Sequence, residues 1–567
     1  MTAIANLDPS DLAALTAAYQ ELIDRPIASP GELRAWMQDF SDLTAAFDEM
    51  GTRRYIAKTC NTASAEIEAA YLDFVQRLEP AVKPLHSALQ KKFLQSPHRG
   101  ALTEPKLNLL AKKWQADVDI FREENIPLSV KITEIVNEYD NINGSMSVVH
   151  NGKECTLQQA SRFLEDPDRT TREAVWKLIA RRRLQERAKI DELFSAIIPL
   201  RHKLALNAGK SDYRDFTWTE LKRFDYSPAD CIAFADAIEK SIMPLVLKLD
   251  EHRRSKLGVE RLRPWDRTTT TSDVAVDITG DQPLRPFSPD DIDGFIAKTT
   301  KAFERVSPLL AKDFDSLRTN GNLDLASRKA KAPGGYQSSL EKSKQPFIFM
   351  NAAGLQRDVE TLLHEGGHAF HYIAAAQNEP LSFLRSAPIE FCEVASMGME
   401  LLAQDHLDVF YSPEEAQRAA LSHFESILRF FPWMAMVDQF QHWLYTHPEH
   451  SVEQRTAAWR KLMQRFGGAC DWTGLEDARD ALWQRQLHLF HVPFYYVEYG
   501  IAQLGALQLW LMSRQDPQRA VQRYRAALAL GGTRPLPELF AAAGIHFDFS
   551  EKTLTPLMTA VAEELKL

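Results

Sequence analysis

Apolar positions recur at intervals of three and four residues through most of the chain, and short clusters of Ser or Asp, Pro and an acid precede several of these runs. That is the pattern of amphipathic helices with marked starts. In "DPSDLAALTAAYQELIDR" Asp8 is the expected N-cap, Pro9 the first helical residue and Asp11 an acid near the positive helix end. The same grammar returns at Ser227-Pro228, Ser288-Pro289-Asp290-Asp291 and Ser412-Pro413-Glu414-Glu415. Strand signals are few. "SVVHNGKECT", Ser147 to Thr156, predicts a hairpin with Asn151-Gly152 at a turn that needs positive φ at both positions. "GGYQSSLEKSKQPFIFMN", Gly334 to Asn351, predicts two paired strands directly before a long helix. The expected fold is mainly α with a small β-sheet. Linkers are expected around Asn207-Ala208-Gly209 and over Val259–Pro283, where Thr, Asp, Gly and Pro replace helical periodicity. They divide the chain into an N-terminal helical region, 1–200, and a second region, 201–567.

Composition narrows the class. Of 567 residues, 45% are hydrophobic and 25% charged, which fits a soluble globular chain with a large core. A net charge of -10 disfavours a phosphate-binding surface, so no nucleic-acid partner is expected. The basic run "ARRRLQERAK", Ala180 to Lys189, reads as a solvated or salt-bridged helix face. Cys60, Cys155, Cys231, Cys392 and Cys470 contain no CxxC pair and are odd in number, so neither a disulfide framework nor a thiolate zinc site is expected. The N-terminus lacks a signal-peptide pattern and "FFPWMAMV", Phe430 to Val437, is too short to cross a bilayer, so a cytoplasmic, membrane-free protein is expected.

The candidate chemistry lies in "TLLHEGGHAFHY", Thr361 to Tyr372. His364 and His368 are four apart, which on a helix puts both imidazoles on one face, and Glu365 stands beside them. H-E-x-x-H is the spacing of zinc held by two histidines with an adjacent carboxylate as general base. The pattern arises by chance in roughly three in a hundred chains of this length, so context decides. Leu362, Leu363, Ala369, Phe370 and Ile373 support a helix, with no proline before Pro380. Gly366 and Gly367 each cost about 1 kcal/mol in a helix relative to Ala; close approach of another element or of substrate would explain them.

A catalytic zinc site needs a third protein ligand. The metzincin pattern would require Gly at 371 and His at 374, where the chain has His371 and Ala374. "APIEFCEVASMGMELLAQ", Ala387 to Gln404, offers Glu390, Glu393 and Glu400; Glu393 and Glu400 share a helix face, Glu390 lies near it, and spacing does not choose among them.

"HEGGHAFH" followed by "EFCEVASMGME" resembles the M3 family of zinc metallopeptidases, and "QLHLFHVPFYYVEYGIAQLGALQLW", Gln486 to Trp510, is similar to its oligoendopeptidase F and Pz-peptidase branch. The landmarks "LRPWD" and "GGYQSS" extend the resemblance over roughly residues 260 to 510, and the N-terminal region resembles the family only in being helical. The resemblance implies a two-lobed helical body around a deep channel, one zinc ion per chain, and short unstructured peptides as substrates. It selects Glu393 as third zinc ligand, and matches Glu360 to a glutamate that orients a zinc histidine and Glu400 to a further acidic position beside the site. It matches Tyr496 and Tyr499 to hydroxyls facing the scissile carbonyl, with Tyr495 an adjacent alternative, and His488 to their upstream histidine; His491 has no assigned role. Gly334, Gly335 and Tyr336 open a strand whose edge could hold an extended peptide by its backbone. The expected activity is zinc-dependent oligoendopeptidase, with 201–567 as the catalytic region. The alternatives are an M3-like dipeptidyl carboxypeptidase and an inactive peptide-binding protein.

Overall fold

The computed structural model describes residues 7–267 and 283–567; the part of the expected Val259–Pro283 linker from 268 to 282 lies outside the described residues. Helices dominate. Those used below are α1 (Pro30–Cys60), α2 (Pro228–Ser241), α3 (Gln356–Asn378), α4 (Ile389–Leu402), α5 (Pro413–Thr446) and α6 (Tyr496–Gln515). The strands are β1 (Ser147–His150), β2 (Lys153–Thr156), β3 (Leu323–Ala326), β4 (Tyr336–Leu340) and β5 (Gln345–Ala352). Among the described residues no helix is long and apolar enough to cross a membrane.

Two expected helix starts hold: Ser227 caps α2 in a reciprocal box with Asp230, and α5 begins at Pro413. The other two move to the acid after the proline. Asp11, rather than Asp8, caps the Leu12–Asp24 helix by accepting from the Ala13 and Ala14 amides, and Asp291 caps Ile292–Val306 through Gly294 N. Asp8 instead accepts from the Ser10 amide at 2.9 Å, a local turn that competes with helix.

The predicted hairpin forms. His150 pairs with Lys153, leaving Asn151 (φ 50) and Gly152 (φ 75) as the two turn residues. The second strand pair also forms, antiparallel, but β5 has another neighbour: β3 pairs with it in parallel, giving the order β3-β5-β4 with β4 at an edge. β5 is buried along most of its length and delivers the chain to α3.

The chain forms two compact units, each built from three separated segments: Met1–Glu123, Arg285–Pro413 and Gly505–Phe547 in the first, Glu124–Leu284, Glu414–Leu504 and Asp548–Leu567 in the second. Leu200 lies inside the Arg187–Asn207 helix of the second unit. In the first unit Leu15, Trp36, Phe40, Phe93 and Trp114 share a core with Leu381 and Leu384 from far along the chain. The second unit buries an ionic cluster. Asp250 accepts from Arg429 Nη1 at 2.8 Å, Arg267 Nε at 3.1 Å and the Ala469 amide at 2.9 Å.

Candidate metal centre

α3 and α4 belong to the first unit and cross at very close range. A Cβ on Gly367 would lie 2.4 Å from the Ala395 carbonyl oxygen and 2.6 Å from Ser396 Cα, so backbone meets backbone there and only glycine fits. A Cβ on Gly366 would meet the Phe303 ring instead, at 2.6 Å from Cζ. Both glycines are thus accounted for by packing. The approach sets α4's glutamates against α3's histidines.

Glu393 Oε2 lies 3.4 Å from His364 Nε2 and 3.6 Å from His368 Nε2. These three ligand atoms sit within 4.8 Å of one another. Two atoms each about 2.05 Å from a tetrahedral centre are roughly 3.3 Å apart, so the observed separations fit donors around one ion with little rearrangement. The far side of each imidazole is held: His364 Nδ1 is 2.6 Å from Glu400 Oε1, and the Cys392 backbone carbonyl takes a hydrogen bond from His368. Such contacts fix the tautomer that leaves Nε2 available.

The ionisable groups of this pocket are strongly perturbed. Burial alone would lower the His364 pKa, but its hydrogen bonds to Glu393 and Glu400 outweigh burial and hold it well above the ordinary value. Burial lowers His368 to about 4, so that imidazole is a neutral donor at physiological pH. Burial also opposes ionisation of Glu393, yet His368 and His364 hold it below the ordinary range. Glu365 differs from its neighbours. It is buried, and desolvation, aided by the Glu393 charge, pushes its carboxyl up to about 7 despite His364 and a hydrogen bond from the Gln337 backbone on β4. A carboxyl at that value exchanges protons readily near neutrality. Two imidazoles, one carboxylate and an adjacent proton-exchanging carboxyl form a donor set suited to a borderline divalent cation.

The remaining expected residues around this cluster have clear places. Ser396 Oγ donates to Glu393 Oε2 at 3.1 Å, bracing the carboxylate. Glu360 accepts from Gln356 Nε2 at 3.0 Å, and Glu390 is buried in the first turn of α4. His371 accepts the Ala387 amide at 3.3 Å through Nε2, an arrangement that anchors the segment before α4. Gly334 has φ 97, and a Cβ on Gly335 would touch Thr361 on α3 at 3.1 Å. Tyr336 stacks on Phe349 at 4.8 Å and its hydroxyl is 2.5 Å from Thr59 Oγ1, which ties β4 to α1.

His488, Tyr495, Tyr496 and Tyr499 come together in the second unit. The His488 ring lies 4.9 Å from Tyr496 and 5.9 Å from Tyr499, with those two tyrosines 5.7 Å apart. Gln486 Nε2 meets His488 Nδ1 at 2.6 Å while its Oε1 accepts from Trp433 Nε1 at 3.0 Å. His491 pairs with Asp140 at 2.8 Å. Buried Arg201 donates to the Leu489 carbonyl at 2.8 Å, pinning the turn that carries His488. Phe494 has φ 66, a sparsely populated conformation for a bulky residue. Its backbone N–H donates a hydrogen bond to Gln441 Oε1 at 2.6 Å and its carbonyl accepts from Arg223, which is also paired to Glu498 at 2.7 Å. These three supports, Gln441, Arg223 and Glu498, lay outside the sequence-based prediction. Their only local signal is the charged Glu498 between the tyrosines.

Family comparison agrees with this fold. The peptidase family M3 model matches residues 162–559 and the peptidase M3 N-terminal domain model matches 6–121. The chain belongs to peptidase family M3. The match thus runs well beyond the 260 to 510 stretch visible in the motifs and includes the N-terminal region. It is similar to Pz peptidase A, solved with an inhibitor, at 27% identity over 99% of each chain with a TM-score of 0.91. It is also 24% identical over 244 residues to the oligoendopeptidase F homolog of Borreliella burgdorferi, and 24% identical over 234 residues to oligopeptidase PepF of Bacillus subtilis. Those two matches cover 41% and 40% of this chain and only 40% and 34% of the relatives.

Proposed function

We propose that this protein is a zinc-dependent oligoendopeptidase that hydrolyses internal bonds of short, unstructured peptides. The observation that carries the reading is the meeting of His364, His368 and Glu393 donor atoms beside Glu365, a buried carboxyl poised near neutrality. His364, His368 and Glu393 would hold one zinc ion per chain, with Glu400 and the Cys392 carbonyl orienting the imidazoles. Zinc, when bound, supplies Lewis acidity to the reacting oxygens. Glu365 removes a proton from the attacking water and returns one to the departing amine. His488, Tyr496 and Tyr499 are the donors assigned to the charge that develops on the scissile carbonyl oxygen. The edge strand opened by Gly334, Gly335 and Tyr336 offers backbone groups to an extended peptide without reading its side chains. Membership of family M3 and the likeness to oligopeptidase PepF and Pz peptidase A support this assignment. A cytoplasmic site of action is part of the same proposal.

Glu365→Gln tests it together with metal analysis and mass-spectrometric mapping of products from a mixed peptide library. The expected result is zinc in both proteins, internal cleavage by the wild type that a chelator abolishes, and turnover lost in the variant. Purified protein without zinc, or a variant that cleaves at the wild-type rate, would overturn the assignment.

A further inference from the structure

We infer that the second unit carries its own metal site, formed by Cys231 on α2 and by Asp438 and His442 on α5. The ligand atoms of these three residues lie within 4.8 Å of one another, and all three residues are buried. Asp438 and His442 are four apart on one helix, the spacing by which α3 presents its histidines, and Asp438 Oδ2 lies 3.3 Å from His442 Nε2. That is again the separation of two donors on one tetrahedral ion.

Unmet hydrogen bonding points to an occupant. Asp438 Oδ1 and both ring nitrogens of His442 are buried with no hydrogen-bonding partner, although these side chains are only 2% and 5% exposed. Each buried polar atom left in that state costs about 1–3 kcal/mol, and native structures rarely tolerate several side by side without water or an ion. The surroundings do not supply partners: the rings of Trp218 and Phe494 flank His442 at 5.7 and 5.3 Å. Gln439 Nε2 does donate to Asp438 Oδ2 at 3.2 Å, bracing the carboxylate as an outer hydrogen bond braces a metal ligand.

Donor chemistry selects the ion. A thiolate, a carboxylate and a neutral imidazole carry two negative charges, so one divalent cation makes the buried set neutral. Sulfur excludes magnesium and calcium, and the S, O and N mixture suits zinc with water in the fourth position. On binding, the Cys231 thiol proton leaves to solvent and a sulfur–metal bond takes its place. Such an ion ties α2 to α5 and, through the packing of Phe494 on His442, steadies the turn that leads to Tyr496.

The test compares the full-length wild type with Cys231→Ser, Asp438→Asn and Glu393→Ala, each loaded with zinc or cobalt(II), desalted and analysed for metal. Wild type should retain a second equivalent, and its cobalt form should show a thiolate-to-metal charge-transfer band, which the His364, His368 and Glu393 donors cannot produce. Cys231→Ser should lose the band and the second equivalent while keeping the first; Glu393→Ala should lose the first and keep the band. Asp438→Asn preserves volume and serves if the cysteine variant does not fold. A single equivalent in the wild type, meaning that water alone fills the site, or a band that survives Cys231→Ser, overturns the inference. Because each centre is lost separately, failure here is distinguishable from failure of the proposed peptidase centre.

Discussion

Gly367→Ala examines the α3–α4 crossing that brings the three candidate donors together. The added methyl would stand 2.4 Å from the Ala395 oxygen, 2.6 Å from Ser396 Cα and 2.8 Å from the Ala395 carbonyl carbon. All three are backbone atoms of α4, so no side-chain rotation relieves the contact. Ordinary contact begins near 3.4 Å, so α4 has to retreat by roughly 1 Å. Overpacking of this kind costs about 1–3 kcal/mol, offset by about 1 kcal/mol of helix propensity gained on α3. Glu393 travels with α4, and a retreat of that size widens its 3.4 and 3.6 Å separations from the imidazoles beyond what one ion bridges. A misplacement near 1 Å costs about 100-fold in turnover. Hydrolysis of an internally quenched peptide, chelator competition for zinc and a thermal melt read these effects together. Gly366→Ala is the comparison, since its methyl presses on the buried Phe303 ring at 2.6 Å rather than on the α4 backbone and so reports overpacking without a direct push on α4. A folded Gly367→Ala protein with zinc affinity and kcat/KM within about twofold of the wild type would refute the reasoning.

Glu400→Gln removes the charge that faces His364 Nδ1 at 2.6 Å, and zinc affinity should fall about 10–100-fold in a chelator titration while the fold persists. Burial would raise the Asp250 carboxyl, but Arg267 and Arg429 hold it down at about 2. A depressed carboxyl contributes stability that is present above its ordinary value and lost as pH falls, here between about pH 4 and pH 2, worth about 2 kcal/mol. Asp250→Asn should therefore flatten the acid limb of urea stability in that window and, by stranding two buried guanidinium groups, cost about 3–5 kcal/mol at pH 7. Tyr499→Phe should lower kcat on the order of 100-fold with zinc content unchanged, and an unaltered kcat would remove its hydroxyl from the mechanism. Cleavage of a peptide with an amidated C-terminus should match that of the free acid; dependence on the free carboxylate would instead mark a dipeptidyl carboxypeptidase.

Helical periodicity made the fold class legible, and the hairpin at Asn151-Gly152 was readable because only a few residue pairs adopt positive φ twice in succession. Cap positions were less so: Asp8 and Asp11 both fit the chemistry, and only the turn onto Ser10 decides between them. β3 escaped because four residues, Leu-Asp-Leu-Ala, carry little pattern and their parallel partner is reached by a long excursion. At the centre, the histidine pair was visible because a helix folds its ligands locally. Spacing left Glu390, Glu393 and Glu400 open and the family resemblance picked Glu393; which oxygen meets which ring nitrogen is settled by the helix crossing that Gly367 permits. Of the Cys231, Asp438 and His442 cluster the sequence shows only the four-residue spacing of Asp438 and His442, and the cysteine pattern argued against any thiolate site. Cys231 is separated from its partners by about 200 residues, and spacing rules describe only neighbours on one element.

The interleaving of the two units has a consequence for synthesis. The core around Trp36, Phe40 and Trp114 is closed by Leu381 and Leu384, and its unit takes a last segment from Gly505–Phe547. The second unit waits longer still, for Asp548–Leu567, where Phe549 packs on Phe234 of α2 at 5.4 Å. A growing chain on the ribosome therefore holds exposed apolar helix faces of each unit until that unit's last segment emerges, Gly505–Phe547 for the first and Asp548–Leu567 for the second. Chaperone demand during synthesis should scale with the time taken to elongate from the first segment of each unit to its last.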